Sequence, residues 1–196
     1  MRLKLLAASL FFVACQADSN YGNSELFSDT GSSSLPEGYV VVEDSMSNAH
    51  EFMNLFNEFC AANMPRLDKI ESAARLYSWE NLPAEMANMV SPADPSTPFK
   101  GWYIPSENLP VMIGITETVF EGEPAYGCSL AADLDGNQVK GIAVKSFPDA
   151  KLIADQTQHG QRYRIWQGTD YIYNLTDASP SELTGVSLSM MWIGEI

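Results

Sequence analysis

The sequence predicts an α+β fold in a single domain, with N-terminal helices packed on an antiparallel β-sheet. Two patterns carry this expectation. Apolar residues recur at helical spacing up to about residue 77, and beyond a proline-rich break at Ser91–Pro98 they alternate as in half-buried strands. Helices come early and strands later, without the strict βαβ alternation of a parallel sheet. The size agrees. With 196 residues, 45% apolar and 11% aromatic, the chain suits one domain with its own core and is too rich in aromatics for disorder over most of its length.

The elements follow in order. Gly38-Tyr39-Val40-Val41-Val42-Glu43 reads as a short extended lead-in at a sheet edge. The spacing then predicts a helix over 48–64, because Phe52, Leu55, Phe56, Phe59 and Cys60 form one buried stripe. Asn48 and Glu51 suggest a capping box, and Pro65 a stop. A second helix, 67–77, buries Leu67, Ile70, Ala74 and Tyr77, and a short helical turn follows at 83–89. Strands are expected at 100–104 and 111–120. The turn Gly122-Glu123-Pro124 leads into a strand on which Tyr126, Cys128, Leu130 and Ala132 share a face. Helical spacing returns over 137–147 despite Gly141. Arg162–Trp166 and Tyr171–Asn174 make a second hairpin across Gln167-Gly168-Thr169-Asp170, and 187–193 forms a final strand. No internal repeat is read from the sequence.

The N-terminus is built for export. Arg2 and Lys4 precede an apolar run from Leu5 to Ala14, the charged start and short hydrophobic stretch of a secretory signal. That run is shorter than the roughly 20 residues a membrane span requires. Phe12-Val13-Ala14-Cys15 resembles the lipobox of bacterial lipoproteins, with Phe12 standing where Leu is usual. The resemblance implies that Cys15 is lipidated by palmitate-type acyl chains and becomes the mature N-terminus. Gln16, in place of the Asp that marks inner-membrane retention in Gram-negative lipoproteins, implies an outer-membrane location. The alternative is cleavage after Ala17, which discards Cys15 and leaves a secreted or periplasmic protein. The organisation expected is thus 1–14 signal peptide, 15–36 lipidated Cys and Gly/Ser-rich linker, and 37–196 globular domain.

Charge narrows the partners. The chain carries 25 acidic and 11 basic side chains, a net charge of −14. Loss of residues 1–14 removes Arg2 and Lys4 and no acid, so nine basic residues remain and the balance becomes −16. Such a body offers no Lys/Arg cluster for nucleic acid, and anionic lipid would repel it, so any membrane contact falls to the lipid anchor alone.

Cys60 and Cys128 are then the thiols left in an exported domain, 68 residues apart, and two such cysteines are expected to pair; two buried free thiols are the alternative. No motif marks a catalytic residue. His50 and His159 are far apart and lack metal-ligand spacing, so both read as solvated side chains and no metal is expected. Gly127-Cys128-Ser129-Leu130-Ala131 partly matches a nucleophile elbow, but Ser129 falls inside a strand and reads as an outward-facing polar residue. Asp133, Asp135 and Asn137 alternate as in a calcium loop. Gln138 and Val144 stand where Gly and Glu are required, so a turn capping the next helix is the expectation. Phosphate-binding glycine loops are absent, and no cofactor is expected. Asn174-Leu175-Thr176 is a chance glycosylation sequon. Trp79, Trp102, Trp166 and Trp192 read as core or groove-lining residues, with sugar stacking or a partner surface as the alternative.

These observations point to an exported, lipid-anchored envelope protein acting as a non-catalytic binding or interaction module for another envelope protein or a small ligand. Two rival classes stay open: a small periplasmic hydrolase or carbohydrate-active enzyme with an unrecognised carboxylate pair, and an inhibitor of an exported enzyme, whose acidic body would steer a basic partner.

Overall fold

The computed structural model describes residues 42–194, apart from 88, 93, 95, 107–108, 159 and 179–184. Cys15, the linker 15–36 and His159 lie outside the described residues, as does most of the lead-in at 38–43.

Helix α1 spans Val42–Leu55, and a wider, π-helical turn carries it on through Phe56–Ala61, burying Phe56, Phe59 and Cys60. The helix thus starts well before Asn48, and Val42 and Glu43 belong to it and not to an extended lead-in. Asn48 is interior, so it caps nothing, and Glu51 accepts a hydrogen bond from Ser106 Oγ at 2.6 Å. Helix α2, Leu67–Leu76, buries Leu67, Ile70 and Ala74. Tyr77, expected on that buried stripe, lies just past the helix and is exposed, its ring stacked on Trp79. A four-residue helix α3, Ala84–Ala87, follows the two-residue strand β1, Glu80–Asn81.

The remaining strands are β2 (Phe99–Ile104), β3 (Val111–Phe120), β4 (Glu123–Ala132), β5 (Lys151–Gln158), β6 (Gln161–Gln167), β7 (Tyr171–Ala178) and β8 (Val186–Trp192). Helix α4, Gly136–Ser146, links β4 to β5. The β3–β4 turn comprises Glu121 and Gly122, with φ of 53° and 94°. Two left-handed residues in succession give the tight turn whose twist matches a hairpin, and Gly122 adopts that region without strain. Pro124, expected in the turn, pairs with Val119 inside the strand.

All eight strands form one antiparallel sheet in the order β1-β2-β3-β4-β8-β7-β6-β5. The helices pack on one face of it, so the fold is α+β with helices over an antiparallel sheet. Strand alternation gives that face Val111, Ile113 and Ile115 from β3, Cys128 and Leu130 from β4, Tyr173 and Leu175 from β7, and Leu188 and Met190 from β8. They close the core with Phe52, Phe56 and Phe59 of the first helical run and with Val139 and Ala143 of α4. Cys60 and Cys128 are both fully buried there and joined in a disulfide, Cα–Cα 5.5 Å. The bridge fastens the helical layer to the middle of the sheet.

The strand order contains an internal repeat that the sequence does not reveal. Each half is a helical stretch followed by a four-strand meander, and the last strands of the two meanders, β4 and β8, pair at the centre. Register repeats with the order. Ile113 pairs with Leu130, and sixty residues further along both strands Tyr173 pairs with Met190. Trp102 pairs with Ile113 as Trp166 does with Tyr173. Phe99-Lys100-Gly101-Trp102 and Tyr163-Arg164-Ile165-Trp166 are related strings, too short to announce the repeat by themselves.

Candidate functional site

The face of the sheet turned away from the main helical layer holds the candidate site. One register row crosses it through Gly101, Gly114, Ser129, Ser189 and Asn174, on β2, β3, β4, β8 and β7. Small side chains along one row of neighbouring strands leave a trough, because nothing larger than a Ser or Asn rises from the sheet there. On the β3 side the chain partly fills it. Val90 packs with Met112 and Ala131, with Leu82, Met86, Met89 and Phe99 around them. A Cβ on Gly114 would stand 2.8 Å from the Val90 carbonyl oxygen and 2.5 Å from the Phe99 ring, so only glycine permits this approach.

Beyond Val90 the trough opens into a groove whose walls are Val90, Pro92, Ile172 and Met191 and whose floor is Gly127, Ser129, Ser189 and Asn174. Gly114, Thr116, Thr118 and Met190 also line it. Among the described residues, no Lys, Arg, Asp or Glu lines this groove, in a chain with 25 acidic residues. Asn174 is 7% exposed. Its Nδ2 donates to Thr176 Oγ1 at 3.1 Å, while its carbonyl Oδ1 is buried and has no hydrogen-bond partner among the described residues.

The titratable groups whose pKa is displaced lie elsewhere. Two hydrogen bonds from Ser96, hydroxyl first and backbone N–H second, hold Asp94 below the usual carboxylate range. Asp155 is lowered chiefly by the bidentate hydrogen bonds from Arg162, at 2.8 and 2.9 Å, and Arg162 is raised by the same pair. Burial pushes the Tyr173 phenol well above its ordinary value, with the charge of Tyr171 and a hydrogen bond to it adding to the effect. Beneath the helical layer, Arg164 is fully buried. Its Nη2 lies 2.6 Å from Asp177 Oδ2, a close ion contact without hydrogen-bond alignment, and its Nε has no partner among the described residues.

The residues singled out from the sequence fall in several places. Ser129 is on the groove floor, on the face away from the main helices. Among the described residues, no His, Asp, Glu or Lys shares the groove lining with it. Asp135 caps α4, its Oδ1 accepting from the Asn137 backbone N–H at 2.8 Å, the turn-and-cap role expected for Asp133, Asp135 and Asn137. His50 is exposed on α1. Among the described residues, no group of three or more His, Cys, Asp and Glu comes together to hold a metal ion. Trp79, Trp102 and Trp166 are buried in the core, Trp79 edge-on to Phe59 at 4.9 Å, and the indole N–H of Trp192 donates to the Gly194 carbonyl. None of the four lines the groove. In the sequence Asn174 is notable only as part of a chance sequon; its place in the floor follows from the pairing of β7 with β8, which local pattern does not encode.

No protein family, curated protein or solved structure matches the chain. No described helix is long and apolar enough to cross a membrane.

Proposed function

We propose that the protein is an exported, lipid-anchored envelope protein whose folded domain is a non-catalytic binding module, with its ligand seated in the groove on the sheet face away from the helices. Lipidation of Cys15 holds it at the outer membrane facing the periplasm, and residues 16–36 are the spacer. The observation that carries the binding reading is the groove itself, which joins the aliphatic walls of Val90, Pro92, Ile172 and Met191 to a floor of small polar residues. Such an assembly selects a ligand by shape, with the few polar groups of the lining fixing its orientation. Acid–base chemistry needs titratable groups converging in the cleft. The displaced ones, Asp94, Asp155, Arg162 and Tyr173, all lie outside this groove's lining. The partner is another envelope protein or a small ligand.

Two measurements test the two parts. Mass spectrometry of protein from native membranes is expected to find Cys15 at the N-terminus with a diacylglyceryl group; an unmodified chain starting at Asp18 defeats the anchor. Photo-crosslinking from groove positions is expected to give adducts, and their absence defeats the binding module.

A further inference from the structure

The two ends of the sheet are unequal. β1 ends it on one side with two residues, whereas β5 runs for eight residues along the other, seven of them exposed. The phase of the ladder fixes which backbone groups of β5 point outward. The Gly168 N–H donates to the Tyr171 carbonyl at 2.9 Å, and from that bonded pair bonded and non-bonded pairs alternate along β6 and β7 without a register shift. Trp166, Arg164 and Arg162 therefore turn their backbone groups toward β7, and the residues between them turn theirs toward β5. There they meet Lys151, Ala154, Gln156 and Gln158. Leu152, Asp155 and Thr157 are left with N–H and C=O directed away from the sheet.

α4 flanks this edge. Val144 shares a small cleft with Trp166, the ladder partner of Leu152, and Val144, Leu152 and Ile153 are each about half exposed. Lys140, one turn back from Val144, adds its charge to the hydrogen bonds of Arg162 that lower Asp155. Between residues 140 and 164 the chain carries five basic and two acidic side chains, the reverse of its overall balance. Lys140 and Lys151 have no ion-pair partner among the described residues.

We infer that β5 takes on a further strand, an extended segment of another protein that is acidic where it passes Lys140 and apolar where it meets Val144, Leu152 and Ile153. An extended backbone is what presents donors and acceptors at the spacing of the outward groups of Leu152, Asp155 and Thr157. Charge selects the partner. In a symmetric pair of β5 edges the two α4 flanks would stand side by side, Lys140 and Lys145 of one copy against those of the other, and like charges oppose that pairing. An acidic segment meets them with the opposite sign. The bulge between Leu152 and Ala154 guards the edge against indiscriminate pairing, so the added strand has to fit it. This edge shares no residue with the groove, and the two sites stand or fall separately.

The test uses the full-length protein in its native cells, with benzoylphenylalanine at Ile153 or Thr157 on the edge and at the exposed Leu76 of α2 as control. Photoproducts from both edge positions are expected to map to one segment of another protein that joins apolar residues with Asp or Glu, and the Leu76 probe should not yield it. Thr157→Pro removes an outward N–H and no bond to β6, a change an edge strand tolerates, and should lower the yield from Ile153 about tenfold. Lys140→Glu reverses the charge and should lower it as well, while Lys140→Arg preserves it. Near-ultraviolet circular dichroism reports that each variant is folded, and either of the first two, once folded, decides the matter. Adducts to a second copy, to another part of the same chain, to lipid or to a segment without acidic residues overturn the inference. So does the absence of adducts, or a yield that Thr157→Pro or Lys140→Glu leaves unchanged.

Discussion

Tyr173 sits at the meeting of several rings: Phe147 stacks on it with centroids 3.9 Å apart, Tyr171 lies at 4.6 Å and Phe56 at 6.5 Å. Burial there favours the neutral phenol, so its folded-state pKa lies above the unfolded value near 10. The sign follows. The contribution is complete below pH 10, where both states are protonated, and declines as pH rises past that value and the unfolded state ionises first. A titration of the eight tyrosines by absorbance should therefore contain one phenol that ionises only with unfolding, and Tyr173→Phe should abolish it. Ionisation of all eight without loss of structure would refute this. The Arg164–Asp177 contact gives a second expectation. Asp177→Ala leaves a fully buried guanidinium without its counter-charge and should destabilise the fold by about 3–5 kcal/mol in urea unfolding. The pair change Arg164→Met with Asp177→Leu should cost much less. Equal losses for the single and double variants would mean that the charges are not what matters. Neither role is legible in the sequence, where a strand Arg between Tyr and Ile looks solvated. Its burial depends on α4 closing over β6 and β7.

At the level of elements, legibility tracks apolar periodicity. The helical stripe through Phe52, Phe56 and Phe59, the alternation of Val111, Ile113 and Ile115, and the hairpin of β6 and β7 are all visible, because each buries one face and leaves the other. β5 is not. Lys151-Leu152-Ile153-Ala154-Asp155-Gln156-Thr157-Gln158 is an exposed edge strand with a bulge between Leu152 and Ala154, so it has almost no buried face to announce. The start of α1 is hidden for a different reason. Val40-Val41-Val42 is a β-branched run, and such a run imitates a strand when read locally, although Val42 opens the helix. Of the groove, the sequence puts Ser129 on the correct strand, but its neighbours come from β8 and β7, joined by long-range pairing. Gly141 weakens the expectation of α4, yet the helix forms, carried by Val139 and Ala143 in the core and the Asp135 cap. A Cβ at Gly141 would meet nothing within 4 Å. Gly141→Ala should then stabilise the protein by about 1 kcal/mol, read as a rise in the thermal midpoint of about 3 °C. A fall would mean that the helix is held in a conformation only glycine tolerates.

Across the whole molecule, the repeat decides how the parts depend on one another. Both cysteines lie in the first half, where the bridge closes a long loop between residues 60 and 128. Replacing both by Ala should lower stability by about 4 kcal/mol on the chain-entropy account, and a loss below about 1 kcal/mol would contradict it. The second half has no covalent tie of its own among the described residues. It is attached through the hydrogen bonds of β4 with β8 and the packing of α1 on α4. The molecule therefore has a fault line down its middle, stapled on one side only. Under tension or rising denaturant, amides of β5 to β7 should open to exchange before those of β2 to β4, so that the protein comes apart as a zipper does, from its unfastened end.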